Sequence, residues 1–167
     1  MIILGLDPGI ARTGFGVIAH KHQPLFLQCG CLTTKPGIDT PDRLRTIGED
    51  LITVIEKFNP DRAVVETVFF GNNAKTAMLT AETRGVLLYI LRSRHISVHS
   101  LTPLQIKSRL TGYGAADKHQ IQHLVTKRLN LSSPPQPDDA ADALAAALCL
   151  ADESLLSADN AQQITAI

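Results

Sequence analysis

The chain predicts an α/β fold built on a five-stranded mixed sheet, with its first three strands antiparallel and helices on its flanks. Three observations predict it. Three short strand patterns follow one another before any helical period begins, at residues 2–6, 13–18 and 25–32. A helix-spaced apolar series then separates them from a fourth strand, which a right-handed crossover places parallel to the sheet. A second long helix precedes a fifth strand at residues 96–101 in the same way.

Taken in order, Ile2 to Leu6 is an apolar run suited to a buried central strand, and it delivers Asp7 at its carboxyl end. Pro8-Gly9 forces a turn, so Thr13 to Ile18 reads as the hairpin partner and Leu25 to Leu32 as the third strand. Thr40-Pro41 predicts an N-cap followed by proline at the first helical position. Leu44, Ile47, Leu51, Ile55 and Phe58 then repeat at helical spacing until Asn59-Pro60. Ala63-Val64-Val65 is a short buried strand ending on Glu66. Glu66 is thereby expected beside Asp7, on the edge where open α/β sheets carry their sites.

Phe69-Phe70-Gly71-Asn72-Asn73 reads as a loop carrying two exposed aromatics. The helix predicted over 74–94 is apolar nearly all round, which points to a homodimer interface. Thr102-Pro103 opens a short helix through Leu110, Gly112-Tyr113-Gly114 interrupts it, and Asp117 to Leu129 forms another. Ser132 to Pro137 is a rigid linker into a last helix. The domain expected is residues 1–154, with a polar disordered tail over 155–167.

That last helix opens on Asp138-Asp139-Ala140-Ala141-Asp142. A cap needs one carboxylate, whereas Asp139 and Asp142 share a face at i and i+3. With Asp7 and Glu66 they make four acids at one predicted locus. Clustered acids repel unless a cation compensates, and all-oxygen ligands favour Mg²⁺ or Mn²⁺ over zinc. Two such ions per subunit, with Mn²⁺ able to substitute for Mg²⁺, would suit in-line displacement at a phosphodiester. Asp138 is expected to cap the helix.

Composition narrows the setting. The 16 basic and 16 acidic residues balance, but their distribution is uneven. Between Arg84 and Arg128 eight Lys/Arg face the single Asp117, a basic stretch compatible with a polyanion and equally with a solvated helix face. The 3 cysteines form no disulfide framework, and Cys29 and Cys31 alternate on a strand so that both point to one face, as buried thiols rather than a metal site. Asp7 breaks the first apolar run too early for a leader or membrane span, so a cytoplasmic protein without membrane contact is expected. His119 and His123 stand at i and i+4 without acid or thiol companions, which favours a solvated or DNA-facing helix over a metal pair.

Several of these segments together resemble the bacterial RuvC family of Holliday-junction resolvases. They are Leu4-Gly5-Leu6-Asp7-Pro8-Gly9, Thr13-Gly14-Phe15-Gly16-Val17-Ile18, Glu66-Thr67-Val68-Phe69, Gly112-Tyr113-Gly114-Ala115-Ala116-Asp117-Lys118 and Asp139-Ala140-Ala141-Asp142-Ala143-Leu144-Ala145. The resemblance implies a ribonuclease-H-like fold and a homodimer that cuts opposed strands of four-way junction DNA with Mg²⁺, working with a branch-migration helicase complex. It also implies that Asp7, Glu66, Asp139 and Asp142 are the metal-binding catalytic carboxylates. Lys107 and Lys118 would stand near the scissile phosphate, and Phe69 would stack on an unpaired base, with Phe70 a second aromatic able to share that role. Arg84 stays open between an interface ion pair and a DNA contact.

Two rivals follow from the same residues. Asp7-Pro8-Gly9 with Thr13-Gly14 also resembles the phosphate loop of actin-like kinases and ATPases, but those close two such domains on a nucleotide and 167 residues allow one. A non-catalytic junction-binding module would have no use for four acids.

Overall fold

The computed structural model describes the backbone at residues 1–68 and 74–164, and side chains within those segments up to residue 152. Strands β1 (Ile2–Asp7), β2 (Arg12–His20) and β3 (Pro24–Thr33) come first, then helix α1 (Thr40–Phe58), β4 (Arg62–Glu66), α2 (Ala74–Ser93) and β5 (Ser97–Leu101). Helices α3 (Pro103–Thr111), α4 (Lys118–Arg128) and α5 (Asp138–Ile164) complete the order. The sheet runs β3-β2-β1-β4-β5. β1 pairs antiparallel with β2 and β2 with β3, whereas β1–β4 and β4–β5 are parallel. This is the mixed sheet expected from the sequence.

Strand alternation divides the interior into two cores. Leu4, Leu6, Phe15, Val17, Ala63 and Val65 face α1 and α2, where they meet Ile47, Leu51, Leu87 and Leu91. Ile3, Ile18 and Val64 turn the other way, onto the alanine-rich flank of α5 with Leu144 and Leu148, and onto Ile106, Ile121 and Val125 of α3 and α4. With a side-chain period of two, Asp7 shares the face of Ile3, and Glu66 shares the face of Val64. Both acids are therefore aimed at α5 by the same alternation that fills the core.

Helix ends follow local chemistry. Asp39, not Thr40, is the N-cap of α1, its carboxylate accepting from the Asp42 N–H at 3.3 Å; Thr40 becomes the first helical residue. Asn59 ends α1 in the left-handed region with φ 47°. Thr102 and Asp117 open α3 and α4 with reciprocal capping boxes to Gln105 and Gln120. α2 buries Ala77, Thr83, Leu87, Ile90 and Leu91 while leaving Met78 and Tyr89 exposed. One flank is thus committed to the core and another is open, rather than the whole helix being unpartnered. The expected division after residue 154 falls where side chains are not described, and no described helix is long and apolar enough to cross a membrane.

Candidate active site

Asp7 and Glu66 end neighbouring parallel strands, one step beyond the Leu6–Val65 pairing, so their carboxylates emerge side by side. The turn after Asp7 is braced by buried Thr13, whose hydroxyl donates to the Gly9 carbonyl at 2.9 Å. The Glu66 carbonyl accepts from Arg84 Nε at 3.1 Å, and Arg84 Nη2 reaches Ser100 Oγ at 2.7 Å. Arg84 thereby ties α2 to the ends of β4 and β5.

The third wall is α5, and glycines set how closely it approaches. A Cβ added at Gly5 would lie 1.9 Å from the Ala143 carbonyl oxygen, one at Gly14 2.0 Å from that of Asp139, and one at Gly16 2.7 Å from Leu144 side-chain atoms. Gly5 and Gly16 are register partners, and Gly14 is the partner of Asp7. Together they form a trough in the sheet into which the first turns of α5 sink. Gly and Ala meet backbone to backbone here because no larger side chain fits. The result is to bring Asp139 and Asp142 against Asp7 and Glu66.

The electrostatics record how crowded the acids are. Burial, then the neighbouring charges of Asp142 and Asp139, push Asp7 up to about 7. Burial followed by Asp7 and Asp142 pushes Glu66 up to about 8, with Lys107 opposing. Burial also raises Asp142, against the pull of Lys118. Two cations stand at the flanks of this cluster. Arg12 Nε lies 3.1 Å from Asp139 Oδ2, close enough for charge attraction but misaligned for a hydrogen bond, and that buried oxygen has no hydrogen-bond partner. Lys118 Nζ lies 3.0 Å from Asp138 Oδ2 and 4.0 Å from Asp142 Oδ2. A small cleft of about 130 Å³ opens between Glu66, Asp142, Lys107, Pro103, Ile106 and Ile121.

The donor set fits a hard divalent cation: oxygens alone, several of them disfavoured as bare anions, one of them buried without a donor. Among the described residues no group of His, Cys, Asp or Glu side chains yet stands in a metal-holding arrangement.

Of the residues singled out by sequence, Asp7, Glu66, Asp142, Lys107 and Lys118 converge here, joined by Asp139 from the Arg12 side. Asp138 does not act as the expected cap. Its carboxylate turns to α4, where Oδ1 accepts from Gln122 Nε2 at 2.9 Å and Oδ2 meets Lys118. Phe69 and Phe70 lie outside the described residues. His119 and His123 are exposed, as a solvated face requires. Sequence reasoning passed over Arg12, Gln122 and the glycine trough. Glycines at alternate strand positions 14 and 16, opposite Gly5, were the available signal for the trough.

Comparison with known proteins places the chain among related molecules. The family model described as crossover junction endodeoxyribonuclease RuvC matches residues 3–150. A crossover junction endodeoxyribonuclease RuvC from Alkaliphilus oremlandii is 45% identical over 150 residues, covering 89% of this chain and 92% of the relative. The Thermus thermophilus RuvC structure superposes with a TM-score of 0.87 at 29% identity, covering 94% of this chain and 97% of that one. The same organism's RuvC in complex with Holliday junction substrate gives a TM-score of 0.84 at 31% identity, over 89% of this chain and 92% of that one. The sheet order and flanking helices are those of the ribonuclease-H-like fold expected.

Proposed function

The chain belongs to the RuvC family of crossover junction endodeoxyribonucleases, and on that premise we propose that it resolves four-way DNA junctions by paired, metal-dependent hydrolysis of opposed strands. The observation that carries the reading is the meeting of half-buried Asp7 and Glu66 with Asp142, each disfavoured as a free anion by partial burial and by its neighbours. Asp7, Glu66, Asp139 and Asp142 would hold Mg²⁺, two ions per subunit, with Mn²⁺ able to substitute. When bound, such ions stabilise charge on the attacking and leaving oxygens of the phosphodiester.

The remaining work falls to the chain itself. Lys107 borders the cleft beside Glu66 and Asp142, and Lys118 stands at its α4 side. Both ammonium groups suit contact with phosphate and stabilisation of negative charge that develops during displacement. Phe69, with Phe70, would stack on an unpaired junction base, worth about 1–3 kcal/mol in single-strand binders. Two opposed cuts need two sites, and α2, with Met78 and Tyr89 exposed, is the surface that would join two copies. A branch-migration helicase complex is the further partner the family likeness suggests. Arg84, held by Glu66 and Ser100, supports the site as a brace more directly than as a DNA contact.

A gel assay on a synthetic four-way junction tests the reading. The expected outcome is paired nicking in Mg²⁺, none in EDTA, and binding without cutting by Asp7→Asn. Robust cutting by Asp7→Asn would sink the metal assignment, and ATP hydrolysis without cutting would favour the kinase-like rival.

A further inference from the structure

Asp138 is the one carboxylate of the α5 start whose surroundings differ from those of its neighbours. Asp139 and Asp142 face the sheet edge, whereas Asp138 is turned toward α4 by one residue's rotation about the helix. Both its oxygens are taken there. Gln122, buried on α4, donates to Oδ1 at 2.9 Å, and the Lys118 ammonium sits 3.0 Å from Oδ2. Lys118 is also 4.0 Å from Asp142 Oδ2, a proposed metal ligand.

A lysine ammonium on a flexible stem beside an acidic cluster has an obvious alternative position, inside the cluster. There it would occupy Asp142 oxygens that a divalent cation needs. The contact it makes instead is to Asp138, a half-exposed pair, and Asp138 in turn accepts from the amide of Gln122. A carboxylate left free to rotate would follow the lysine; one held at Oδ1 by a buried side chain is biased against doing so.

We propose that Asp138 is a positioning residue that, anchored by Gln122, holds the Lys118 ammonium at the mouth of the carboxylate cluster and keeps it from competing with metal for Asp142. The inference rests on the metal reading of the site. It assigns Asp138 to the lysine rather than to the ion, which the run of three acids within five residues leaves undecided. Lys118 is then kept near the reacting phosphate yet out of the ligand set, two requirements that a lone lysine beside four acids would not meet together.

The test is Mn²⁺ binding to the DNA-free protein, measured calorimetrically for wild type, Asp138→Ala, Lys118→Ala and the double variant, with melting midpoints to confirm folding. Asp138→Ala should weaken Mn²⁺ binding by about threefold to tenfold, the scale of coupling between residues in contact. Lys118→Ala should bind at least as tightly as wild type, and adding Asp138→Ala to it should cost nothing further. If the Asp138→Ala loss persists without Lys118, Asp138 is itself a ligand and the inference is wrong. Unchanged affinity in the single Asp138→Ala variant overturns it as well. Failure of wild type to bind Mn²⁺ overturns the metal reading and the inference with it, whereas the other two outcomes leave that reading intact.

Discussion

Gly14 lies against the backbone of Asp139 so closely that a Cβ there would stand 2.0 Å from the Asp139 carbonyl oxygen. Backbone atoms cannot move aside as a side chain tip can. Gly14→Ala must therefore lift the first turn of α5 or distort β2. A destabilisation of about 1–3 kcal/mol is expected from overpacking. Cleavage should fall much further than stability, because the displaced segment carries Asp139. Denaturant melts and junction cleavage measured side by side check this; full cleavage by the folded variant would show that the close approach is unnecessary.

The same contact marks what the sequence makes legible. Asp7 and Glu66 could be placed beside each other because an apolar run, a crossover and a second apolar run determine where a strand ends. Asp139 and Asp142 could be matched to them through a run of acids too rich for a cap. The docking depth of α5 was harder to read, since its signal, Gly14 and Gly16 opposite Gly5, takes on meaning only once the hairpin has paired. Asp138 misled for a related reason. In isolation an Asp at a helix start is a cap, but Lys118 and Gln122, brought near by α4, offer stronger partners than the local amides. Thr40 likewise lost its cap role to Asp39, a choice between adjacent residues that depends on one turn of backbone.

The raised acids predict a pH response of the metal-free protein. Unfolded, Asp7 and Glu66 would titrate near their ordinary values of 3.8 and 4.5; folded, they reach about 7 and about 8. Between those limits the folded state binds more protons than the unfolded one, so stability falls as pH rises. In EDTA the melting midpoint should drop between roughly pH 5 and pH 8, and less steeply for Asp7→Asn. Mn²⁺ should remove most of the drop by supplying the positive charge the acids lack. A wild-type midpoint that rises across that range in EDTA, with Asp7→Asn running parallel to it, would contradict the crowding.

Arg84 separates a brace from a DNA contact. As a brace on the Glu66 carbonyl and Ser100, its loss in Arg84→Ala should reduce junction cleavage while leaving the salt dependence of junction binding unchanged. A phosphate contact would behave differently: binding would weaken and the slope of log affinity against log salt would shrink by about 1. Binding titrations at several salt concentrations decide between them.

His20 supplies an opposite pH signature from outside the site. Its side chain is buried at the end of β2, and neither ring nitrogen has a hydrogen-bond partner among the described residues. Burial lowers its proton affinity most; the N-terminus, Arg128 and His22 add to this, and Asp152, held by Arg128, opposes it. The unfolded chain therefore takes up the proton first on acidification. Stability is lost as pH falls below the ordinary value of 6.5 toward the lower folded one, the reverse of the trend set by Asp7 and Glu66. Replacing the imidazole by an apolar ring in His20→Phe removes that term. The difference in melting midpoint, variant minus wild type, should grow as pH is lowered from about 7 to about 5. A difference that stays flat over this range would mean that the ring is reached by water or is protonated as readily folded as unfolded.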